Sequence, residues 1–154
     1  MNSLEHNHAS CTSDLLARAE DICASRNVRL TDQRREVLAC VAQSHVAVGA
    51  YDVIERMALL GPRPAPITVY RALDFLLTHN LVHKIESRNA FVACAFDHAN
   101  AQPALLICDI CGNVDEMLQS AALQDLERTA LIKGFKVSGA VIELAGTCRN
   151  CSHV

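Results

Sequence analysis

"ITVYRALDFLLTHN" at 67–80 is the best amphipathic segment of the chain. Val69, Leu73, Leu76 and Leu77 recur at helical spacing as an inner stripe, which leaves Tyr70, Arg71, Asp74 and Thr78 outside. The alternating prolines of "GPRPAP" at 61–66 hold the preceding backbone extended and deliver the chain to this helix. After Asn80 the period changes to two. "LVHKIES" (81–87) and "AFVACAF" (90–96) read as strands, and "SRNA" (87–90) between them reads as a hairpin turn.

Upstream, the pattern is helical from Ser13, with Leu15, Ala19, Ile22 and Cys23 on one face. Thr31 is placed to cap a second helix lined by Val37, Leu38 and Val41, with Cys40 among them. "AYDVIERMALL" (50–60) predicts a third, in which Tyr51, Ile54, Met57 and Ala58 are spaced for burial. Cys23 and Cys40 read as small core residues. Residues 1–12, which include His6 and His8, lack periodicity and read as a disordered tail. Three or four helices followed by a two-stranded hairpin make a winged helix-turn-helix over 13–96. The polar, proline-terminated "DHANAQP" (97–103) reads as a hinge. The last third predicts strand (104–108), strand (113–118), helix (120–132, with Leu123, Leu126 and Ala130 inward) and strand (135–144). The fold class is α+β, a winged-helix domain followed by a small α/β domain over 104–154.

The chain has 154 residues, enough to bury a core without covalent staples, and a net charge of -3. Residues 1–86 carry nine basic and ten acidic side chains, which excludes the broad positive field of a nonspecific nucleic-acid binder. One local patch, "RNVRLTDQRR" at 26–35, sets four arginines against one aspartate; it reads either as a DNA contact or as a solvated face at a helix entrance. The apolar runs fall far below the roughly 20 residues that span a bilayer. "MNSLEHNHAS" lacks the basic flank and apolar core of a secretory signal. The expected location is cytoplasmic, where thiols stay reduced and grouped cysteines more often bind metal or do redox chemistry.

Of the eight cysteines, four form two pairs of equal internal spacing: "CDICG" at 108–112 and "CRNCS" at 148–152. A C-x2-C knuckle sets two thiolates on one side of a tight turn, and the glycine after Cys111 eases that turn. Each pair follows a predicted strand, so an antiparallel fold of the intervening segment is expected to join Cys108, Cys111, Cys148 and Cys151 into one cage. Four thiolates leave no open coordination position, which makes the zinc structural. A thioredoxin-type redox reading is weaker, because neither pair opens a helix. His83, Cys94, His98 and Glu116 cluster around the domain boundary. Spacing alone leaves both readings open for them, a metal site or four unrelated side chains.

"TVYRALDFLL", "VHKIES", "FVAC", "ICDICG" and "CRNC", in this order and spacing, resemble the ferric uptake regulator family, and within it the zinc-responsive members. The likeness runs from about residue 13 to the end. It implies a homodimeric, zinc-dependent transcriptional repressor, with no catalytic role, no small-molecule substrate and no membrane. Such a protein binds palindromic double-stranded operator DNA and holds two zinc ions per chain, one structural and one regulatory. His83, Cys94 and Glu116 fall on the regulatory ligands of zinc-type members. His98 is displaced from the family's position, where Ala101 stands, and must reach from an altered place; His45 is the reserve candidate. Tyr70 and Arg71 match the recognition helix and "RLTDQRREVL" (29–38) the arginine-bearing second helix. Arg71 is then the expected base reader, joined by Tyr70, with Tyr51, Thr68, Arg29 and Arg34 as further DNA contacts. The alternative within the family is a sensor of another metal or of peroxide.

Overall fold

In the computed structural model, residues 8–96, 103–118 and 121–152 are described. They form two compact units, divided between Ala95 and Phe96.

The first unit opens with α1 (His8–Ser25). The helix begins at His8, inside the segment expected to be a disordered tail. Half-buried Cys11 extends the inner stripe one turn back from Leu15 at i, i+4 spacing, and Thr12 donates from its hydroxyl to the Ala42 carbonyl at 3.4 Å. Thr31 caps α2 (Asp32–Val41), accepting from the Arg34 amide. Val37, Leu38, Cys40 and Val41 are buried there. In α3 (Ala50–Leu60) the buried side chains are Ala50, Val53, Ile54 and Met57. Tyr51, expected inside, is 67% exposed, because Val53 and Ala50 take the inner flank and Tyr51 turns to solvent. Ala58 is half-buried.

Pro66 opens α4 (Pro66–Thr78), where its missing N–H costs no hydrogen bond. Val69, Ala72, Leu73 and Leu76 are buried in it, and Leu77 is half-buried. α2 packs against α3 and α4, and α4 against β1 (Val82–Ile85). β1 pairs antiparallel with β2 (Ala90–Ala93), His83 opposite Val92. Asn89, at φ 46°, takes the left-handed position of the turn. A bridge unseen in the sequence adds Val48 to this wing, through 2.8 Å hydrogen bonds in both directions with Phe91. One residue of pairing is too short to show a period.

The second unit holds a three-stranded sheet in the order β4-β3-β5. β3 (Ala104–Cys108) pairs antiparallel with β4 (Val114–Met117), and α5 (Ala121–Ile132) follows. The final strand, β5, spans Glu143–Gly146 rather than 135–144, and it pairs with β3 in parallel. The expected antiparallel fold is thus corrected. Both cysteine knuckles follow strands, so they reach the same edge of the sheet only if those strands run the same way. Residues 135–142 form no strand, although the Ile142 carbonyl accepts from the Leu105 amide of β3 at 2.9 Å. α5 has no fully buried side chain: Leu126 is 61% exposed, and Leu123 and Ala130 are half-buried, so the expected inward face is open in the single chain.

Candidate functional site

The parallel β3–β5 ladder ends on the hydrogen bond from the Asp109 amide to the Gly146 carbonyl, 2.8 Å. From there the chain turns twice. In the first knuckle the Gly112 amide donates to the Cys108 carbonyl at 2.9 Å, with Gly112 at φ 72°, a conformation glycine takes without strain. In the second, the amides of Cys151 and Ser152 donate to the Cys148 carbonyl at 3.0 and 2.9 Å. The four sulfurs of Cys108, Cys111, Cys148 and Cys151 lie within 4.8 Å of one another. Zinc with sulfur ligands at about 2.3 Å places tetrahedral sulfurs about 3.8 Å apart, and the Cys111 and Cys148 sulfurs are 3.7 Å apart. The donor set fits.

The sulfurs also differ in their hold on protons. Backbone hydrogen bonds, from Cys111 first and then Cys148, draw the Cys108 thiol down to about 6, and the Cys148 amide lies 3.3 Å from that sulfur. The Cys151 thiol is pushed up to about 12, chiefly by its hydrogen bond with Cys148. The two thiols are pulled in opposite directions, and a cation binding all four sulfurs must displace the protons that remain; metal uptake therefore releases protons and strengthens as pH rises. Cys23 and Cys40 contrast with these. Burial pushes both thiols up, which makes them poor ligands and inert core residues.

On the wing, a nitrogen of His83 and the Cys94 sulfur lie within 4.8 Å of each other. His83 sits on β1 and Cys94 directly follows β2, so the hairpin register brings them to neighbouring positions. The Cys94 amide donates to the Leu81 carbonyl at 3.0 Å. Cys94 is buried, and so is His83 Nε2. Arg18, from α1, holds the same segment from the other end. It donates to the Cys94 carbonyl, and at 2.8 Å to the Ala95 carbonyl. Sequence patterning carries no signal for a bond that spans 76 residues. Glu116 belongs to the second unit, half-buried on β4 opposite Leu105. His98 lies outside the described residues, as do His6 and the tail before residue 8. His45 is exposed in the loop before α3.

The remaining predicted residues lie on the surface of the first unit. Tyr70 is 40% exposed and Arg71 exposed, both in the first half of α4. A cleft of about 350 Å³ opens between the starts of α2 and α4, lined by Thr31, Gln33, Arg34, Thr68, Arg71 and Ala72. Among the described residues, no acidic side chain lines it. Arg34 and Thr68, singled out separately in the sequence, share this cleft with Arg71; Thr31 and Gln33 were missed because a cap and a polar helix residue look alike whether or not they line a cleft. Arg29 and Tyr51 are exposed elsewhere on the unit. Arg29 accepts at its carbonyl a 2.5 Å hydrogen bond from Arg34 Nη1.

Comparison with known proteins supplies an independent line. Residues 25–145 match the profile of the Ferric uptake regulator family. The chain is 46% identical over 145 residues to the zinc uptake regulation protein of Escherichia coli strain K12, covering 93% of this chain and 84% of that protein. A solved zinc uptake regulator complexed with zinc and DNA superposes with a TM-score of 0.87 at 43% identity, over 92% of this chain and 95% of the other. The crystal structure of holo XcZur follows, with a TM-score of 0.84 at 35% identity, over 92% and 99% of the two chains.

Proposed function

The chain belongs to the ferric uptake regulator family, and on that footing we propose that it is a zinc-responsive transcriptional repressor. It binds palindromic double-stranded operator DNA as a homodimer when a regulatory zinc is loaded. Each chain takes two zinc ions. Cys108, Cys111, Cys148 and Cys151 hold the structural one; their four thiolates leave no open position, so the site does no catalysis. His83, Cys94, Glu116 and His98 form the regulatory set, with His45 as the reserve for His98. No helix among the described residues is long and apolar enough to cross a membrane, and the protein is assigned to the cytoplasm, with its DNA.

The observation that carries this reading is the His83–Cys94 pair, an imidazole and a cysteine sulfur within 4.8 Å on the wing of a helix-turn-helix fold. A bound zinc supplies a tetrahedral junction for its ligands, and one thiolate with one carboxylate offsets its two charges. Cys94 biases the set toward zinc and away from iron(II) and manganese, because its sulfur is soft. His83 and Cys94 belong to the DNA-binding unit and Glu116 to the other, so a common ligand restricts the angle between the units. In a two-fold dimer that angle sets the separation of the recognition helices, which enter successive major grooves only at roughly 34–36 Å or a multiple. Shifting the population from about 1:99 to 99:1 needs roughly 5.5 kcal/mol of differential zinc affinity, well within a four-ligand site. Arg71 then reads guanine O6 and N7 with its fork, Tyr70 packs against a thymine methyl or reaches a base edge, and Tyr51, Thr68, Arg29 and Arg34 take phosphates.

Mobility-shift titrations of metal-stripped protein, given zinc, iron(II) or manganese in parallel, test the metal. Zinc restores operator binding at the lowest free concentration, and Cys94→Ser removes that preference. Restoration by iron(II) or manganese at lower free metal than zinc contradicts the reading in favour of another metal sensor.

A further inference from the structure

Phe75 lies in the second half of α4, half-buried at the edge of the core it packs against and away from the exposed Tyr70–Arg71 pair. The Arg34 guanidinium carbon stands over its ring, 3.6 Å from the centroid. Other parts of Arg34 are also held. Its amide donates to the Thr31 hydroxyl at 3.4 Å, and its Nη1 to the Arg29 carbonyl at 2.5 Å. Phe75 is in turn braced by His79, whose ring centroid is 4.4 Å away at an interplanar angle of 53°. Arg26 fixes that end of the helix, donating to the His79 carbonyl at 3.0 Å. Burial, followed by the charges of Arg26 and Arg34, lowers the His79 pKa, so its ring is neutral at physiological pH and adds no repelling charge beside Arg34.

A free arginine side chain has many rotamers, and ordering it at an interface costs affinity. Here the ordering precedes binding. Arg34 sits at the rim of a cleft that also contains Arg71 and Thr68 and has no acidic lining among the described residues. Its planar fork stacks on an aromatic face while leaving N–H groups for an oxyanion.

We infer that Phe75 is a positioning residue for DNA binding: its ring presets the Arg34 guanidinium at the α2–α4 cleft to take a backbone phosphate next to the bases read by Arg71. The inference rests on the reading of α4 as the DNA-binding helix. It makes affinity depend on a side chain that touches no DNA, through a second side chain that does.

The test measures operator affinity of the full-length, zinc-loaded protein across a salt series for Phe75→Leu, Phe75→Met, Phe75→Tyr, Arg34→Gln and the Phe75→Leu/Arg34→Gln pair. Circular dichroism checks folding, and the Leu and Met variants back each other up if one is destabilised. Phe75→Leu, Phe75→Met and Arg34→Gln each weaken binding roughly three- to thirtyfold. Each also flattens the slope of log K against log salt by about 0.9 for every phosphate no longer neutralised. The double variant is no weaker than Arg34→Gln alone, and Phe75→Tyr, which keeps the aromatic face, restores both affinity and slope. Folded Leu and Met variants with the wild-type slope, or effects that multiply in the double variant, overturn the inference while leaving the DNA reading intact. Absence of operator binding by the wild-type protein at every salt concentration overturns both.

Discussion

The duties proposed for Arg71 and Cys94 are separable, and single substitutions can tell them apart. Arg71 is exposed on α4 with no part in the core, so Arg71→Ala leaves folding and zinc content unchanged. The loss falls on discrimination: one bidentate guanine contact is worth about 1–3 kcal/mol, so binding to operator and to scrambled duplex should converge while zinc per chain, measured by atomic absorption, stays constant. Retained discrimination removes Arg71 from the reading role. At this scale the sequence was legible wherever chemistry follows spacing, as in the two C-x2-C knuckles. It was silent on Arg18 and Phe75. Arg18 bonds to carbonyls 76 and 77 residues away, and Phe75 meets Arg34 across two helices; no local period encodes either contact.

Among the elements, α4 was the most legible, since one stripe of apolar residues and one proline fix both its face and its start. Leu76 is fully buried on that face. Leu76→Ala should cost about 2–5 kcal/mol by leaving a cavity under α4, read as a lowered denaturant midpoint of the first unit. A loss below about 1 kcal/mol, far under the usual range for such a truncation, shows that the stripe does not carry the packing described. Helix α3 was read with the wrong inner flank at Tyr51, because in a short helix two adjacent faces both contain apolar residues and only the neighbours decide between them. The last strand was misplaced for a different reason. The apolar and β-branched residues between Phe135 and Leu144 suit a strand, but residue pairing with β3 begins only at Glu143. Composition shows where a strand can form, and pairing requires a partner.

For the whole molecule, the second unit leaves large apolar side chains in solvent: Leu126, Leu131, Ile132, Phe135 and Val141 are each more than 60% exposed, a feature of interaction faces where such residues adjoin. The proposed homodimer covers this face. Ile132→Asp should therefore yield monomers in sedimentation velocity, with the four-cysteine zinc retained, because α5 contributes none of those ligands; an unchanged dimer places the interface elsewhere. The two-unit organisation was legible in the change of pattern after residue 96, whereas the open face of α5 looked like core, since burial by a second copy and burial by the chain itself leave the same stripe. The most direct test of zinc-dependent DNA binding removes only the exchangeable zinc, with a chelator mild enough to spare the cysteine-held ion, and measures operator affinity before and after. Affinity is predicted to fall by roughly two orders of magnitude or more, as a large population shift requires, and to return on adding zinc. Equal affinity in the two states contradicts the proposed mechanism.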